Sequence, residues 1–205
     1  MALYKTILLF GAPGAGKGTQ GRILGRIPGF VHFECGEVFR RLNVNSKIGQ
    51  IFLKYSRKGE LVPDNVTVEI WSHHIDKQIL SGVYKPESDL LVMDGIPRTV
   101  EQAKLLQDKI DPVKVINLNC SSEAVMMERI HSRALKEGRI DDTKEAVIHH
   151  RWEVYHKETA PVLDFYGPDL VETVIADGTP LEVLSAITQT LVPVQQPPPI
   201  RETHD

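Results

Sequence analysis

Short apolar runs alternate with helical patterns along the chain. Tyr4–Phe10 is nearly continuous and stops at a glycine cluster, which is typical of a buried parallel strand. Similar runs are Leu90–Met93, Val113–Leu118 and Val171–Ile175, with a weaker one at Phe30–Phe33. Strands separated by helices predict a parallel sheet covered on both faces. We therefore expect an α/β fold of five parallel strands, whose ligands bind beyond the carboxyl ends of those strands.

Capping residues predict where several helices begin. Small polar or acidic side chains at these positions can accept hydrogen bonds from the first backbone N–H groups of a helix. The predicted pairs of cap and helix are Asp64 with Val66–Leu80, Ser121 or Ser122 with Ala124–Leu135, and Thr143 with Lys144–Tyr155.

Length and composition favour a single soluble domain with a short tail. The chain has 205 residues, 41% of them hydrophobic and 25% charged. Pro193–Asp205 is rich in proline and is predicted to be disordered, so the domain spans residues 1–192. A docking role for this tail is the alternative to a solvated appendage.

Charge and cysteine content argue against several classes of ligand and partner. A net charge of −3 provides no basic field for nucleic acid or an anionic membrane, so an anionic ligand needs local Arg and Lys. Cys35 and Cys120 are too few for a disulfide framework or a four-cysteine zinc site. The short apolar run near the N-terminus resembles neither a signal peptide nor a membrane span. We expect a cytoplasmic monomer.

A glycine-rich loop, Gly11–Thr19 (GAPGAGKGT), lies between the first strand and a helix predicted to begin near Lys17. Its glycines let successive backbone N–H groups surround a phosphate, and Lys17 adds a positive charge. The common pattern has Ser or Thr directly after the lysine, but here Gly18 precedes Thr19. This departure argues against a switch-type GTPase and favours a small-molecule kinase.

Five motifs in order resemble the adenylate kinase family of nucleoside monophosphate kinases. They are GAPGAGKGTQ, CGEVFR, GELVPD, DGIPRTVEQA and the arginine-rich stretch from Glu128 through Arg151. The resemblance covers Tyr4 to about Pro180. It implies a P-loop kinase that transfers a phosphoryl group reversibly from ATP to AMP, giving two ADP, with Mg²⁺ as the cofactor and no covalent enzyme intermediate.

The resemblance also divides the domain into a core and two small mobile segments. The implied core comprises residues 1–33, 65–128 and 143–192. Residues 34–64 form the NMP-binding segment, which receives the monophosphate, and residues 129–142 form a short lid. Because the lid has only ALKEG between Arg133 and Arg139, the zinc-binding insertion of longer forms is missing and no zinc is expected.

Site residues follow by position in the motifs. Guanidinium groups suit phosphate because they offer paired donors and stay charged. The implied catalytic residues are Lys17, Arg98, Arg133, Arg139 and Arg151. The implied ATP-binding residues are Gly14, Ala15, Gly16, Lys17, Gly18, Thr19, Arg129, Arg133 and Gly178. The implied AMP-binding residues are Cys35, Gly36, Arg40, Glu60, Leu61, Val62, Gly95, Arg98, Gln102, Arg139 and Arg151.

Acidic residues and one histidine complete the predicted site. Asp94 ends a buried strand beside the loop, where a carboxylate can hold Mg²⁺ through water. Asp141 and Asp142 are implied to latch the lid through the arginines. His32 lies between apolar residues, which favours a packed side chain over a general base, and phosphoryl transfer requires no strong base.

The sequence departs from the family pattern at the predicted acceptor site. Cys35 stands where the family usually has Ser or Thr, and a thiol is a poorer hydrogen-bond partner than a hydroxyl. Gln102 stands where the family has an adenine-reading amide, and a Gln side chain presents a donor and an acceptor together. A UMP/CMP kinase with the same chemistry is the nearest alternative, and a non-catalytic nucleotide-binding switch protein is the second.

Overall fold

The computed structural model of the chain describes residues 3–139 and 142–195. Its centre is a sheet of five strands in the order β2-β3-β1-β4-β5, all paired in parallel, which confirms the predicted α/β class. The strands are β1 (Tyr4–Phe10), β2 (Phe30–Glu34), β3 (Leu90–Asp94), β4 (Ile110–Asn119) and β5 (Val171–Ile175).

Helices cover both faces of the sheet. They are α1 (Lys17–Leu24), α2 (Cys35–Arg40), α3 (Lys47–Ser56), α4 (Asp64–Leu80), α5 (Val100–Leu106), α6 (Glu123–Glu137), α7 (Glu145–Val154), α8 (Pro161–Tyr166) and α9 (Pro180–Leu191). A π-helical turn at Tyr155–Thr159 joins α7 to α8. Within the described ranges, no helix combines the length and apolar character that crossing a membrane requires.

Alternation along β1 explains why both faces are apolar. Ile7 and Leu9 pack into one hydrophobic cluster, whereas Leu8 and Phe10 pack into the other, because successive side chains of a strand point to opposite faces. All four are at most 4% exposed. A continuous apolar run is therefore what a central parallel strand needs, since each face is buried under helices.

The predicted helix starts are only partly correct. Ser122 is the cap of α6, with its hydroxyl accepting from the Val125 N–H at 3.3 Å, as predicted. Asp64 is instead the first residue of α4, after Pro63. Thr143 does not cap α7, because that helix begins at Glu145 after Lys144.

The described chain continues past the end of α9. Val194 packs against the hydrophobic core, and the Gln195 side chain donates to the Pro28 carbonyl at 3.3 Å. Val194 and Gln195, which the sequence assigns to the tail, therefore contact the domain. The rest of the predicted tail, 196–205, lies outside the described residues.

Strand register places three segments at one edge of the sheet. Asp94, the last residue of β3, pairs with Leu9 of β1 on one side and with Glu34 of β2 on the other. The loop after β1, the start of α2 and the loop after β3 consequently meet beyond the carboxyl ends of the strands. This is the edge at which the sequence predicts ligand binding.

Candidate active site

A cavity of about 720 Å³ opens at this edge of the sheet. Its volume lies in the range of small-molecule sites. Every residue that the sequence analysis names for ATP, AMP or magnesium lines it, from Gly14 in the loop after β1 to Gly178 after β5. The structure therefore brings together positions that are up to 164 residues apart in the chain, which their motifs alone did not establish.

The glycine-rich loop packs closely against two helices. A Cβ at Gly14 would lie 2.6 Å from the Met126 carbonyl oxygen, and its φ of +90° favours glycine as well. The Trp152 indole N–H donates to the Pro13 carbonyl at 2.9 Å, and this side chain is 5% exposed. Both contacts fix the loop against α6 and α7, although the sequence pattern indicates neither.

Lys17 begins α1 and bends back over the loop. Its ammonium donates to the Gly11 carbonyl at 2.6 Å and to the Ala12 carbonyl at 3.2 Å. Burial lowers the pKa of Lys17 to about 8, the nearby Asp94 carboxylate acts in the opposite direction, and Arg98 lowers it further. An anionic ligand in the cavity would favour the charged form of this lysine.

Asp94 lies between the loop and the start of α2. Its side chain is 6% exposed, and burial raises its pKa, an effect that Lys17 partly offsets. Glu34, one strand away in register, raises it further. The cavity thus contains a buried carboxylate whose environment favours a nearby cation.

Asp142 connects two of the predicted catalytic arginines. It is fully buried, its Oδ2 accepts from Arg133 Nε at 2.8 Å, and its Oδ1 accepts from Arg151. Arg133 comes from α6 and Arg151 from α7, so the carboxylate joins the two helices at the cavity wall. The predicted partner of Asp142, Asp141, lies outside the described residues.

Arg98 lies at the floor of the cavity, in the segment between β3 and α5. Its backbone N–H donates to Gln102 Oε1 at 2.7 Å, and its carbonyl accepts from the Thr159 hydroxyl at 2.9 Å. Burial lowers the pKa of Arg98, and the nearby positive charge of Arg151 lowers it further. An anion between them would relieve this repulsion.

Gln102 is more constrained than the sequence suggests. It is 1% exposed, its Oε1 accepts from Arg98, and its Nε2 donates to Asp64 Oδ1 at 2.8 Å. Thr99 donates to the same carboxylate oxygen at 2.9 Å. An amide has two donor and two acceptor sites, so one of each remains for a ligand.

The opposite end of the cavity is built around Arg129. Its guanidinium donates to the carbonyl oxygens of Ala176 at 2.8 Å and Gly178 at 3.1 Å. These bonds hold the flat side chain beside the segment after β5. Val125 and Val183 add apolar surface there, so this end can receive a flat, partly apolar group such as a base.

Cys35 is the first residue of α2 and is 6% exposed. Burial raises the pKa of its thiol to about 12, so it is neutral at physiological pH. Phe39 and Phe52 stack nearby, with ring centroids 5.3 Å apart and planes at 22°. Both rings line the cavity, and sequence reasoning did not identify them.

Two residues of β2, His32 and Glu34, differ in how well the sequence predicted their surroundings. His32 packs against Gly21 of α1 and Gly25, which follows that helix; a Cβ at either glycine would lie within 2.6 Å of the His32 side chain. Burial lowers its pKa, and these contacts agree with the packed side chain that the sequence favours. Glu34, which the sequence analysis did not select, contacts Arg22, Arg40 and Arg139.

Comparison with known proteins assigns the family. A family model described as adenylate kinase matches residues 9–170. The chain belongs to the adenylate kinase family. Among curated relatives, a protein named adenylate kinase from Parabacteroides distasonis is 35% identical to this chain, over 78% of this chain and 83% of its own length. Another of that name, from Porphyromonas gingivalis, is 35% identical over 86% of this chain and 90% of its own length. One from Mycobacterium tuberculosis is 36% identical over 90% of this chain and 98% of its own.

Membership of the adenylate kinase family confirms the resemblance drawn from the five motifs. The sheet of five parallel strands flanked by helices fits the P-loop kinase fold that the resemblance implied. Among the described residues, no group of three or more His, Cys, Asp or Glu side chains is arranged to hold a metal ion. The individual roles of the cavity residues remain predictions.

Proposed function

We propose that this adenylate kinase family member transfers the terminal phosphoryl group of ATP to AMP, reversibly, giving two ADP. The observation that carries the proposal is the convergence of a glycine-rich loop, Lys17 and arginines from separate elements on one cavity. Phosphoryl transfer depends mainly on positioning and on neutralising charge, which is what such a set supplies. The relatives named adenylate kinase support the same activity.

The cavity offers a separate place for each nucleotide. We assign ATP to the loop from Gly14 to Thr19, with its base near Arg129 and Gly178, and AMP to the side of Cys35, Arg40 and Gln102. The two phosphate chains would then meet between Lys17 and the central arginines. Five residues would contact the transferred group or its neighbours: Lys17, Arg98, Arg133, Arg139 and Arg151.

Magnesium fits at Asp94. Within residues 3–139 and 142–195, no group donates a hydrogen bond to its carboxylate, which is 6% exposed and has a raised pKa. A hard cation prefers such an oxygen ligand and retains several of its waters. When bound, Mg²⁺ neutralises charge on the donor phosphates. In this proposal Mg²⁺ is the cofactor and no zinc takes part.

In this proposal the protein's own groups hold the phosphates in place and stabilise their charge. The loop N–H groups and Lys17 hold the donor phosphates, while the arginines stabilise charge on the transferring group in an in-line displacement. We further propose that residues 34–64 and 129–142 move as the monophosphate-binding segment and the lid. Their closure would exclude water that otherwise hydrolyses ATP. We assign the enzyme to the cytoplasm, because its two cysteines are too few for a disulfide framework. We also propose that it is a monomer.

The test compares wild type with Lys17→Met across AMP, CMP, UMP and GMP as acceptors, with ATP and Mg²⁺. We expect ADP formation with AMP to exceed that with the other acceptors, and the variant to lose activity while its circular dichroism spectrum is unchanged. Higher turnover of CMP or UMP than of AMP would show that the acceptor is a pyrimidine nucleotide instead. Tight ATP binding without transfer to any acceptor would contradict the enzyme assignment.

A further inference from the structure

Four side chains form a closed ring of alternating charge beside the phosphate loop. Arg22 of α1 contacts Glu34 Oε2 at 2.9 Å, and Glu34 Oε1 contacts Arg139 at 3.2 Å. Arg139 Nε contacts Glu137 at 2.6 Å, and Glu137 returns to Arg22 at 3.7 Å. The ring joins the core to the residues of the predicted lid.

The inner half of the ring is buried. The side chains of Glu34 and Arg139 are 9% and 7% exposed, whereas those of Arg22 and Glu137 are 46% and 36% exposed. A buried charge is tolerated when it is paired, and removing one partner leaves the other uncompensated. Glu34 and Arg139 therefore depend on each other more than the exposed pair does.

Glu34 also reaches the proposed acceptor site. The Oε1 atom that accepts from Arg139 accepts from Arg40 Nη2 at 3.0 Å. One carboxylate oxygen thus holds two proposed phosphate-binding arginines, one from α2 and one from the lid. These contacts use Nη2 of each, and a guanidinium carries five N–H donors on three nitrogens. Further donors on both side chains remain for a phosphate.

Glu34 is ionised in this setting. Burial acts to raise its pKa, but Arg139, Arg40 and Arg22 outweigh burial and hold the pKa below its usual range. A side chain on Gly18 would lie 3.3 Å from Glu34 Oε2 and 3.5 Å from Asp94 Oδ2. The missing Ser or Thr after Lys17 therefore leaves room beside this carboxylate.

We propose that Glu34 is a positioning residue for the acceptor's phosphate. It holds Arg40 and Arg139 together before AMP binds, and with Arg22 and Glu137 it keeps the lid residues against the core. The inference rests on the proposed transfer to AMP. It predicts that an uncharged side chain at position 34 weakens AMP binding, whereas a carboxylate that merely competed with phosphate would, when removed, strengthen it.

The experiment combines two measurements on Glu34→Gln, Glu34→Asp and Glu137→Gln. Hydrogen exchange reports the opening of residues 133–139 in the ligand-free protein, and initial rates give kcat and the KM for AMP. Glu172→Gln is the matched control, because its exposed carboxylate contacts Lys114 at 3.5 Å at the far edge of the sheet. Thermal melting identifies any variant that fails to fold.

For Glu34→Gln we expect faster exchange in residues 133–139 and a KM for AMP raised about tenfold, with kcat changed less, as for a lost charge-assisted hydrogen bond. Glu34→Asp should recover part of the loss. Glu137→Gln should raise the KM about threefold, since its pair is more exposed. The control should match wild type in both measurements.

An unchanged or lower KM for AMP in folded Glu34→Gln would overturn the proposal. If Glu34→Gln does not fold, Glu34→Asp and Glu137→Gln decide, and wild-type values in both would overturn it. If wild type itself makes no ADP, the proposed function fails, and hydrogen exchange alone tests the ring. Unchanged exchange in the glutamine variants would then reject it.

Discussion

Replacing Asp142 by Asn tests whether one buried carboxylate organises two catalytic arginines. Asp142 is 0% exposed, and its two oxygens accept from Arg133 and Arg151. Asparagine keeps the shape but removes the charge, and its NH₂ group would face one of the guanidinium groups. The arginine that faces the NH₂ group loses its acceptor, and the other keeps only a neutral one in place of a carboxylate.

The expected size follows from burial. A hydrogen bond to a charged group contributes about 1.5–3 kcal/mol, and breaking a fully buried ion pair costs about 3–5 kcal/mol. Arg133 and Arg151 are 27% and 18% exposed, so water in the cavity screens part of this loss. We expect about 2 kcal/mol, which lowers Tm by about 4–8 °C in a domain of this length.

Activity should fall more steeply than stability. Misplacing a positioning group by about 1 Å can cost about 100-fold in rate, and here one proposed catalytic arginine loses its acceptor while the hydrogen bond of the other is weakened. The assays are thermal melting and ADP formation from ATP and AMP, with Asp89→Asn as control, since Asp89 caps an exposed turn at the Lys85 N–H. A folded Asp142→Asn protein with kcat/KM within about twofold of wild type would refute this reasoning.

Three further predictions concern single positions. The pKa of Lys17 is lowered to about 8, so ATP affinity should be highest below that pH and weaken as pH rises through it. Calorimetry at pH 8 should detect proton uptake when ATP binds, because the bound anion favours the charged lysine. Equal binding enthalpies in HEPES and Tris buffers would contradict this. Gly21→Ala places a Cβ 2.2 Å from His32 Nε2 and should lower the free energy of unfolding by about 1–3 kcal/mol in urea titrations. The loss should shrink in a His32→Ala background, and an equal loss in both would show that this contact is not its cause. Cys35→Thr supplies a hydroxyl and should raise the ratio of AMP to CMP turnover about fivefold in an acceptor panel; an unchanged ratio would remove Cys35 as a determinant.

Apolar runs in the sequence predicted the strands well where burial alone decides their extent. Tyr4–Phe10 is β1 in full, because a central strand buried on both faces leaves a continuous apolar run. The fourth strand is longer than predicted, Ile110–Asn119 against Val113–Leu118, since Asp111 and Pro112 interrupt its apolar pattern. Pairing with β1 extends it across these residues.

The site was predictable where motifs carry it and not where distant residues meet. The loop around Lys17 follows from glycine spacing alone. The contact of Glu34 with Arg139 spans 105 residues, and no short pattern encodes it. The Trp152 bond to Pro13 spans 139 residues and is equally hidden. Tertiary packing, which only the folded chain supplies, decides these contacts.

The most direct test of the account follows ³¹P nuclear magnetic resonance of the purified protein with Mg²⁺, ATP and AMP. We predict that ATP and AMP decline together while two ADP form for each pair consumed, with no inorganic phosphate. Lys17→Met should leave both nucleotides unchanged. If ATP declines with release of inorganic phosphate while AMP stays constant, or if nothing changes in a folded protein, the proposed transfer is wrong.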